Sequence, residues 1–192
     1  MLTLIIAIVL IILFFFVIEG RLRRGDRAKS FDAGDSDQGS TRRIGQAFAV
    51  SAIALLVAVA LDAFHVLSLP DTTAVGWIGL GVMLVGIAMR IWAALVLGIF
   101  YTRTLVTTGD QRIVQEGPYR LIRHPGYLGT ILVWIGAALA SSNWLTLVLI
   151  PVVTLWAYVY RIQSEEVMLA QTFGDQYAEY RRHTWRLLPP IY

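Results

Sequence analysis

The chain has 192 residues, 57% of them apolar and 15% charged, with no cysteine and a formal net charge of +3. Mean hydropathy is +0.65 and the pI is about 9.4. These values exclude a disordered chain, a collagen-like chain, a disulfide framework, a thiol nucleophile and a thiolate metal site. The apolar residues come in long runs, as in an integral membrane protein. In such a protein a basic excess belongs to cytoplasmic loops rather than to nucleic-acid binding.

In chain order, five apolar segments are candidate membrane helices: residues 2–18, 44–69, 75–100, 126–140 and 144–160. The first has no basic residue before it and no small-residue cleavage site after it, so it reads as an anchor rather than a signal peptide. Residues 19–43 read as a flexible cytoplasmic connector, rich in Gly, Ser and Asp around Asp32–Asp37 and carrying no chemistry. The second segment holds Asp62 and His65 near its far end, and the third is interrupted only by Arg90. The fourth, with 15 residues, is short for a span. It either begins before Pro125, crosses a thin region, or pairs with the fifth as a helical hairpin. Ser141-Ser142-Asn143 is a tight turn, and Pro151 a kink in the fifth segment.

Lys and Arg alternate by segment. There are none before residue 19, seven in 19–43, none around Pro70, four in 101–125, none at Asn143 and four from Arg161 onward, with Arg90 the remaining one. The positive-inside rule then places the N-terminus outside and the C-terminus in the cytoplasm. The expected fold is an all-α membrane bundle of about five helices. Residues 1–100 carry three spans. Residues 101–192 carry the last two, a polar loop and a C-terminal cytoplasmic helical cap.

Three polar clusters stand out, all after residue 100. Gln115 to Gly129 contains Glu116, Gly117-Pro118-Tyr119, Arg123-His124-Pro125 and Tyr127 where a loop enters a membrane segment. It reads as a basic interfacial anchor or as the lining of a polar cavity. Ser164-Glu165-Glu166 reads as the start of a new helix, with acids suited to its dipole. Alternatively the fifth helix continues through it, bringing both acids to face Arg123 and His124. Phe173-Gly174 to Tyr180, followed by Arg186-Leu187-Leu188-Pro189, carries tyrosines three apart, as on one face of a helix lying on the membrane surface. Arg90, deep in an apolar segment, is a functional-site candidate, a partner of an acid from the cytoplasmic side, or a snorkelling side chain. The chain has no P-loop, no Gly-rich dinucleotide turn and no His-Glu-x-x-His motif.

Together, the run from Gly117-Pro118-Tyr119 to Arg123-His124-Pro125-Gly126-Tyr127-Leu128-Gly129, then Glu165-Glu166-x-x-Leu169, Phe173-Gly174-x-x-Tyr177-x-x-Tyr180 and Arg186-Leu187-Leu188-Pro189 resemble the isoprenylcysteine carboxyl methyltransferase family. The resemblance covers roughly residues 112–190, and the compact size is similar to prokaryotic members. It implies a membrane enzyme that uses S-adenosylmethionine, yields S-adenosylhomocysteine, and methylates the carboxylate of a lipophilic, prenylated acceptor, with no metal and no nucleic acid. Carried over, Tyr119, His124, Tyr127 and Glu165 would help hold the cofactor, with Glu116 and the Leu188-Pro189 backbone nearby. Arg123 and Glu166 would lie at the methyl acceptor. Alternative readings are a phospholipid N-methyltransferase, with His124 or Glu166 as base, an NADPH-dependent sterol-type reductase, and a non-enzymatic transporter or assembly factor.

Overall fold

The computed structural model describes residues 2–22, 37–70, 72–98 and 112–192. Most of the connector after α1, and the stretch from residue 99 to 111 read above as the end of the third span and a polar loop, lie outside them. Six α-helices follow in chain order: α1 (Leu2–Leu22), α2 (Ser40–Asp62), α3 (Thr72–Leu97), α4 (Pro125–Ala140), α5 (Trp144–Phe173) and α6 (Asp175–Arg182), with a 3-10 turn over Gly117–Arg120. Four of them, α1, α2, α3 and α5, are long and apolar enough to cross a bilayer, and α4 is a shorter apolar helix. Leu10, Leu56, Leu84 and Val148 stay exposed along these helices, as lipid-facing side chains should. The chain is an integral, multi-pass membrane protein.

The helices alternate direction, so α1, α3 and α5 end where α2 and α4 begin. At the opposite end the α2–α3 connection is pinned to the α4–α5 turn. Leu69 N–H donates to Ser142 O (2.9 Å) and Trp144 N–H to Leu67 O (2.9 Å), while Asn143 Nδ2 donates to Val66 O (3.1 Å). Asn143 also caps α5, accepting from Leu145 N–H at 3.0 Å. The second segment therefore stops as a helix at Asp62 rather than running to Leu69. His65 and Leu67 take left-handed φ values of 55° and 58°, which no helix continues through.

The tightest contact is between α3 and α4, built on two glycines seven residues apart on each helix, Gly79 and Gly86 against Gly136 and Gly129. A Cβ on Gly86 would stand 2.6 Å from Gly129 O, and one on Gly136 would stand 2.6 Å from Gly79 O. The two backbones touch because these positions have no side chain, as at small-residue interfaces in membranes. The same approach lays Gly129 against Arg90, whose backbone N a Cβ would meet at 2.8 Å. Arg90 is thus enclosed by protein. Its Nε donates to Glu19 Oε1 at 2.6 Å and its Nη2 to Glu19 Oε2 at 3.1 Å. The pair with an acid, one of the readings of Arg90, is observed. The acid comes from the last turn of α1.

Helix α5 is 30 residues long, about 45 Å at 1.5 Å per residue, against a hydrocarbon core of about 30 Å. It does not end at Tyr160. No breaker stands between Tyr160 and Gly174, so the helix carries Glu165 and Glu166 past the apolar stretch. At Pro151 the helix lacks one N–H; Thr154 Oγ1 donates to Ile150 O (2.6 Å) within the same turn.

Gly86→Leu or Gly129→Leu should lower the apparent thermal unfolding temperature in detergent sharply, by an overpacking cost of about 1–3 kcal/mol or more. Gly81→Leu, on the same helix with open space around it, should unfold like the native chain. Thermal scans of the three purified variants check this.

Candidate active site

Just before α4 the sequence Gly117-Pro118-Tyr119-Arg120 folds into a single 3-10 turn, entered by Gly117 at φ 55°. A residue with a Cβ would be strained there. After the turn a single isolated bridge forms at Ile122. The tail comes back alongside it in parallel, with Ile122 bridged to Trp185. Trp185 N–H donates to Leu121 O (2.9 Å), Arg123 N–H to Trp185 O (2.7 Å) and His124 N–H to Arg186 O (3.1 Å). Pro125 then opens α4 at its first position, where a missing N–H costs nothing. This short pairing sets Arg123 and Arg186 side by side.

Both arginines reach one carboxylate. Arg123 Nε donates to Glu166 Oε1 at 2.8 Å and Arg186 Nε to Glu166 Oε2 at 2.9 Å. Glu166 is buried, and His124 Nε2 lies 3.6 Å from its Oε1. Burial opposes the charge on Glu166, but contacts with His124 and Arg123 outweigh it and hold its pKa at about 2. Arg123 is fixed further through Nη1, which donates to the Thr184 carbonyl, to Thr184 Oγ1 at 3.2 Å and to Arg181 O at 3.4 Å. Arg186 Nη1 donates to Tyr192 Oη at 3.2 Å.

His124 is buried, with its ring stacked on Tyr127 at 5.4 Å between centroids and 3° between planes. Its Nδ1 lies 3.4 Å from Glu165 Oε2, near enough for charge pairing but off hydrogen-bond geometry. Burial disfavours the imidazolium, yet the two glutamates overcome that and raise the pKa of His124 above its ordinary value. Burial likewise opposes the charge on Glu165, and His124 and Arg161 hold its pKa below the usual range. Three buried polar atoms here have no hydrogen-bond partner: His124 Nε2, Glu165 Oε2 and Tyr177 Oη.

The remaining sequence candidates fall in different places. Tyr119 is buried under α6, and its carbonyl accepts from Tyr180 Oη at 2.8 Å. Tyr177 and Tyr180 are both buried, so their shared face docks on the loop rather than on a membrane surface. Glu116 is exposed, 3.6 Å from Arg112, and is not gathered with the cluster. Leu188 and Pro189 are exposed, in the turn that leads to Tyr192.

Two residues enter the site only through the structure. Arg161 is buried in α5. Its Nε donates to Tyr127 Oη at 3.1 Å, and its Nη1 to Asp37 Oδ1 at 2.5 Å and Ser40 Oγ at 2.7 Å. Asp37 in turn accepts from Thr41 N–H (3.1 Å) and Thr41 Oγ1 (2.7 Å), capping the start of α2. The connector read as free of chemistry therefore ends in a buried ion pair. An acid three and four residues ahead of Ser40 and Thr41, just before an apolar run, is a helix-start pattern. A basic residue on the same face of α5 as Glu165, one turn earlier, was the corresponding signal for Arg161.

Beside the Arg123–Glu166–Arg186 group lies an open cavity of about 450 Å³, walled by both arginines, Arg181, Arg182, Thr184 and Trp185.

An apolar bundle capped by a polar cluster of two acids, two arginines and a histidine defines the chain as a membrane protein with a built, charged site at one end. A sequence profile of the phospholipid methyltransferase family matches residues 74–176, more than half of the chain and all of the first two motifs. The chain is 33% identical over 119 residues to a probable protein-S-isoprenylcysteine O-methyltransferase of Oryza sativa subsp. indica, covering 61% of this chain and 62% of that one. It is 30% identical over 134 residues to protein-S-isoprenylcysteine O-methyltransferase A of Arabidopsis thaliana, covering 67% and 68%. Among solved structures it resembles the eukaryotic intramembrane Ras methyltransferase (isoprenylcysteine carboxyl methyltransferase). The TM-score is 0.63 and the identity 29%, with 75% of this chain and 52% of that one covered. The chain belongs to the phospholipid methyltransferase family, together with these isoprenylcysteine O-methyltransferases. It spans about three fifths of the length of the rice relative and about half of the solved chain.

The raised pKa of His124 carries a sign. Its protonated form adds stability below the ordinary value of 6.5, and this is lost as pH rises through the higher folded value. Thermal unfolding in detergent, scanned upward from about pH 6, should show a falling midpoint. The decline should flatten in His124→Asn.

Proposed function

We propose that this protein moves a methyl group from S-adenosylmethionine to the carboxylate of a lipophilic, isoprenylcysteine-like acceptor and releases S-adenosylhomocysteine. The observation that carries the reading is the buried Glu166 carboxylate held between Arg123 and Arg186. The relatives' names supply the reaction class, and the site supplies reasons for it.

S-adenosylmethionine, when bound, supplies a methyl group on a cationic sulfur. His124, Tyr127 and Glu165 would hold it, with Tyr119 bracing the loop beneath and Glu116 and the Leu188-Pro189 backbone on the surface nearby. The unpartnered His124 Nε2, Glu165 Oε2 and Tyr177 Oη offer the mixed donors and acceptors that an amino-acid moiety needs. Arg161 fixes Tyr127, and Tyr127 supports the His124 ring by stacking.

Arg123 and Arg186 each keep Nη2 uncommitted among the described residues. A guanidinium can hold an acceptor carboxylate in a planar, two-pronged contact. Glu166 offsets part of their charge, so the acceptor oxygen is oriented without being fully quenched. A carboxylate needs no base to attack a methyl group, and position alone contributes most of the help.

An amine acceptor would need a base. Glu166 is held far below the usual carboxylate range by His124 and Arg123 and is also bonded by Arg186, which makes it a poor base. A carboxylate acceptor needs none, and that favours it over a phospholipid amine. We also infer, from the alternation of basic segments, that the site end is cytoplasmic and the N-terminus outside.

Purified protein in detergent should transfer label from methyl-tritiated S-adenosylmethionine to farnesylcysteine and not to phosphatidylethanolamine. Arg123→Ala and Glu166→Ala should each lose at least a hundredfold in kcat/KM while still inserting, about 2.7 kcal/mol of transition-state stabilisation. Full activity in both variants would reject the residue assignment. Label in phosphatidylethanolamine alone would reject the acceptor.

A further inference from the structure

The open cavity of about 450 Å³ beside Arg123 carries two guanidiniums, Arg181 and Arg182, that the methyl-transfer reading does not use. Four guanidiniums line it, from Arg123, Arg181, Arg182 and Arg186. Two carboxylates offset them: Glu166 pairs with Arg123 and Arg186, and the exposed Glu179 pairs with Arg182 at 2.9 Å. Among the described residues Arg181 has no acid partner. The cavity therefore keeps an excess of positive charge. Thr184 adds a hydroxyl to its wall and Trp185 an indole.

Apolar side chains lie next to the cavity. Trp185 of its wall is 43% exposed, Leu121, whose carbonyl accepts from Trp185 N–H, is 65% exposed, and Leu188 and Ile191, in the turn ending at the wall residue Tyr192, are 50% and 81% exposed. They stand on the two segments joined by the Ile122–Trp185 bridge and on the tail turn, next to the point where Pro125 starts α4. Exposed apolar side chains beside a cationic hollow, at the level where helices leave the bilayer, match an interface whose two phases are acyl chain and headgroup.

We propose that this cavity seats the phosphate of an anionic membrane phospholipid, with the Leu121, Trp185, Leu188 and Ile191 side chains resting among its first acyl carbons. Guanidiniums suit a phosphate through paired N–H donors. Arg181 and Arg182, which the acceptor does not engage, supply those donors, and the positive excess disfavours a zwitterionic headgroup, whose ammonium would be brought against like charge. A free phosphate shares the same chemistry but leaves the neighbouring apolar side chains uncovered. The occupant holds the tail segment on the bilayer surface, where the neighbouring Arg123 and Glu166 face a lipid-borne substrate.

The test is native mass spectrometry of the full chain released from nanodiscs of phosphatidylcholine mixed with phosphatidylglycerol. Wild type should retain phosphatidylglycerol in preference. Arg181→Gln with Arg182→Gln should reduce that retention by about tenfold or more, and Arg181→Lys with Arg182→Lys should keep most of it. Both arginines are exposed, and thermal scans of each variant establish that it is folded. Retention unchanged in the Gln pair would overturn the proposal. So would displacement of the lipid by millimolar inorganic phosphate, which would make this a free-phosphate site. The readout requires no methyl donor, so it stands or falls apart from the proposed reaction.

Discussion

One buried carboxylate, Glu166, holds the polar end of this molecule together. It lies on α5, and the two arginines that reach it come from the loop before α4 and from the tail. Three chain segments far apart in sequence meet on two oxygens. Burying such a group without its partners would cost several kcal/mol per ion. The surrounding backbone pairing, with Arg123 and His124 N–H groups bonded to the tail, fixes the positions that make the contact possible. A charged network of this kind is weak evidence for stability. In a site at the end of an apolar bundle it is better explained by what it orients.

The bundle below serves that arrangement. The glycine contact between α3 and α4 brings the two backbones together, so the loop leading into α4 starts from a defined height. Arg90 and Glu19 lie near the same end, and their two-pronged pair ties α1 to α3. Asp37 and Arg161 do the same for α2 and α5. Each of the first three helices is thus locked, at the end that carries the site, to a neighbour by a buried ion pair or by backbone contact. Among the described residues the two turns at the other end are joined by neutral hydrogen bonds.

Much of this was legible in the sequence. Long apolar runs and the alternation of basic segments describe a helical membrane bundle, and hydrophobicity reports spans because backbone groups in lipid must bond within a helix. Arg123, His124, Glu165 and Glu166 were readable as one group because motif order and spacing carried them together. What was not legible came from contacts distant in sequence. Nothing local tells Asp37 that Arg161 waits 124 positions later, so a capping acid in a Gly/Ser/Asp stretch looks like a linker. The same holds for Glu19, which pairs with Arg90 71 positions later. Glu116 shows the opposite limit. It sits inside the motif by sequence and stands in solvent by structure.

The central claim is that His124, Tyr127 and Glu165 form the donor half of the site, built on the Arg123–Glu166 contact. The most direct measurement is calorimetric titration of S-adenosylhomocysteine into detergent-purified wild type and into a His124→Ala, Glu165→Ala variant. The account predicts micromolar binding to wild type and none to the folded variant. Absence of heat from folded wild type, or equal binding by both proteins, would contradict it.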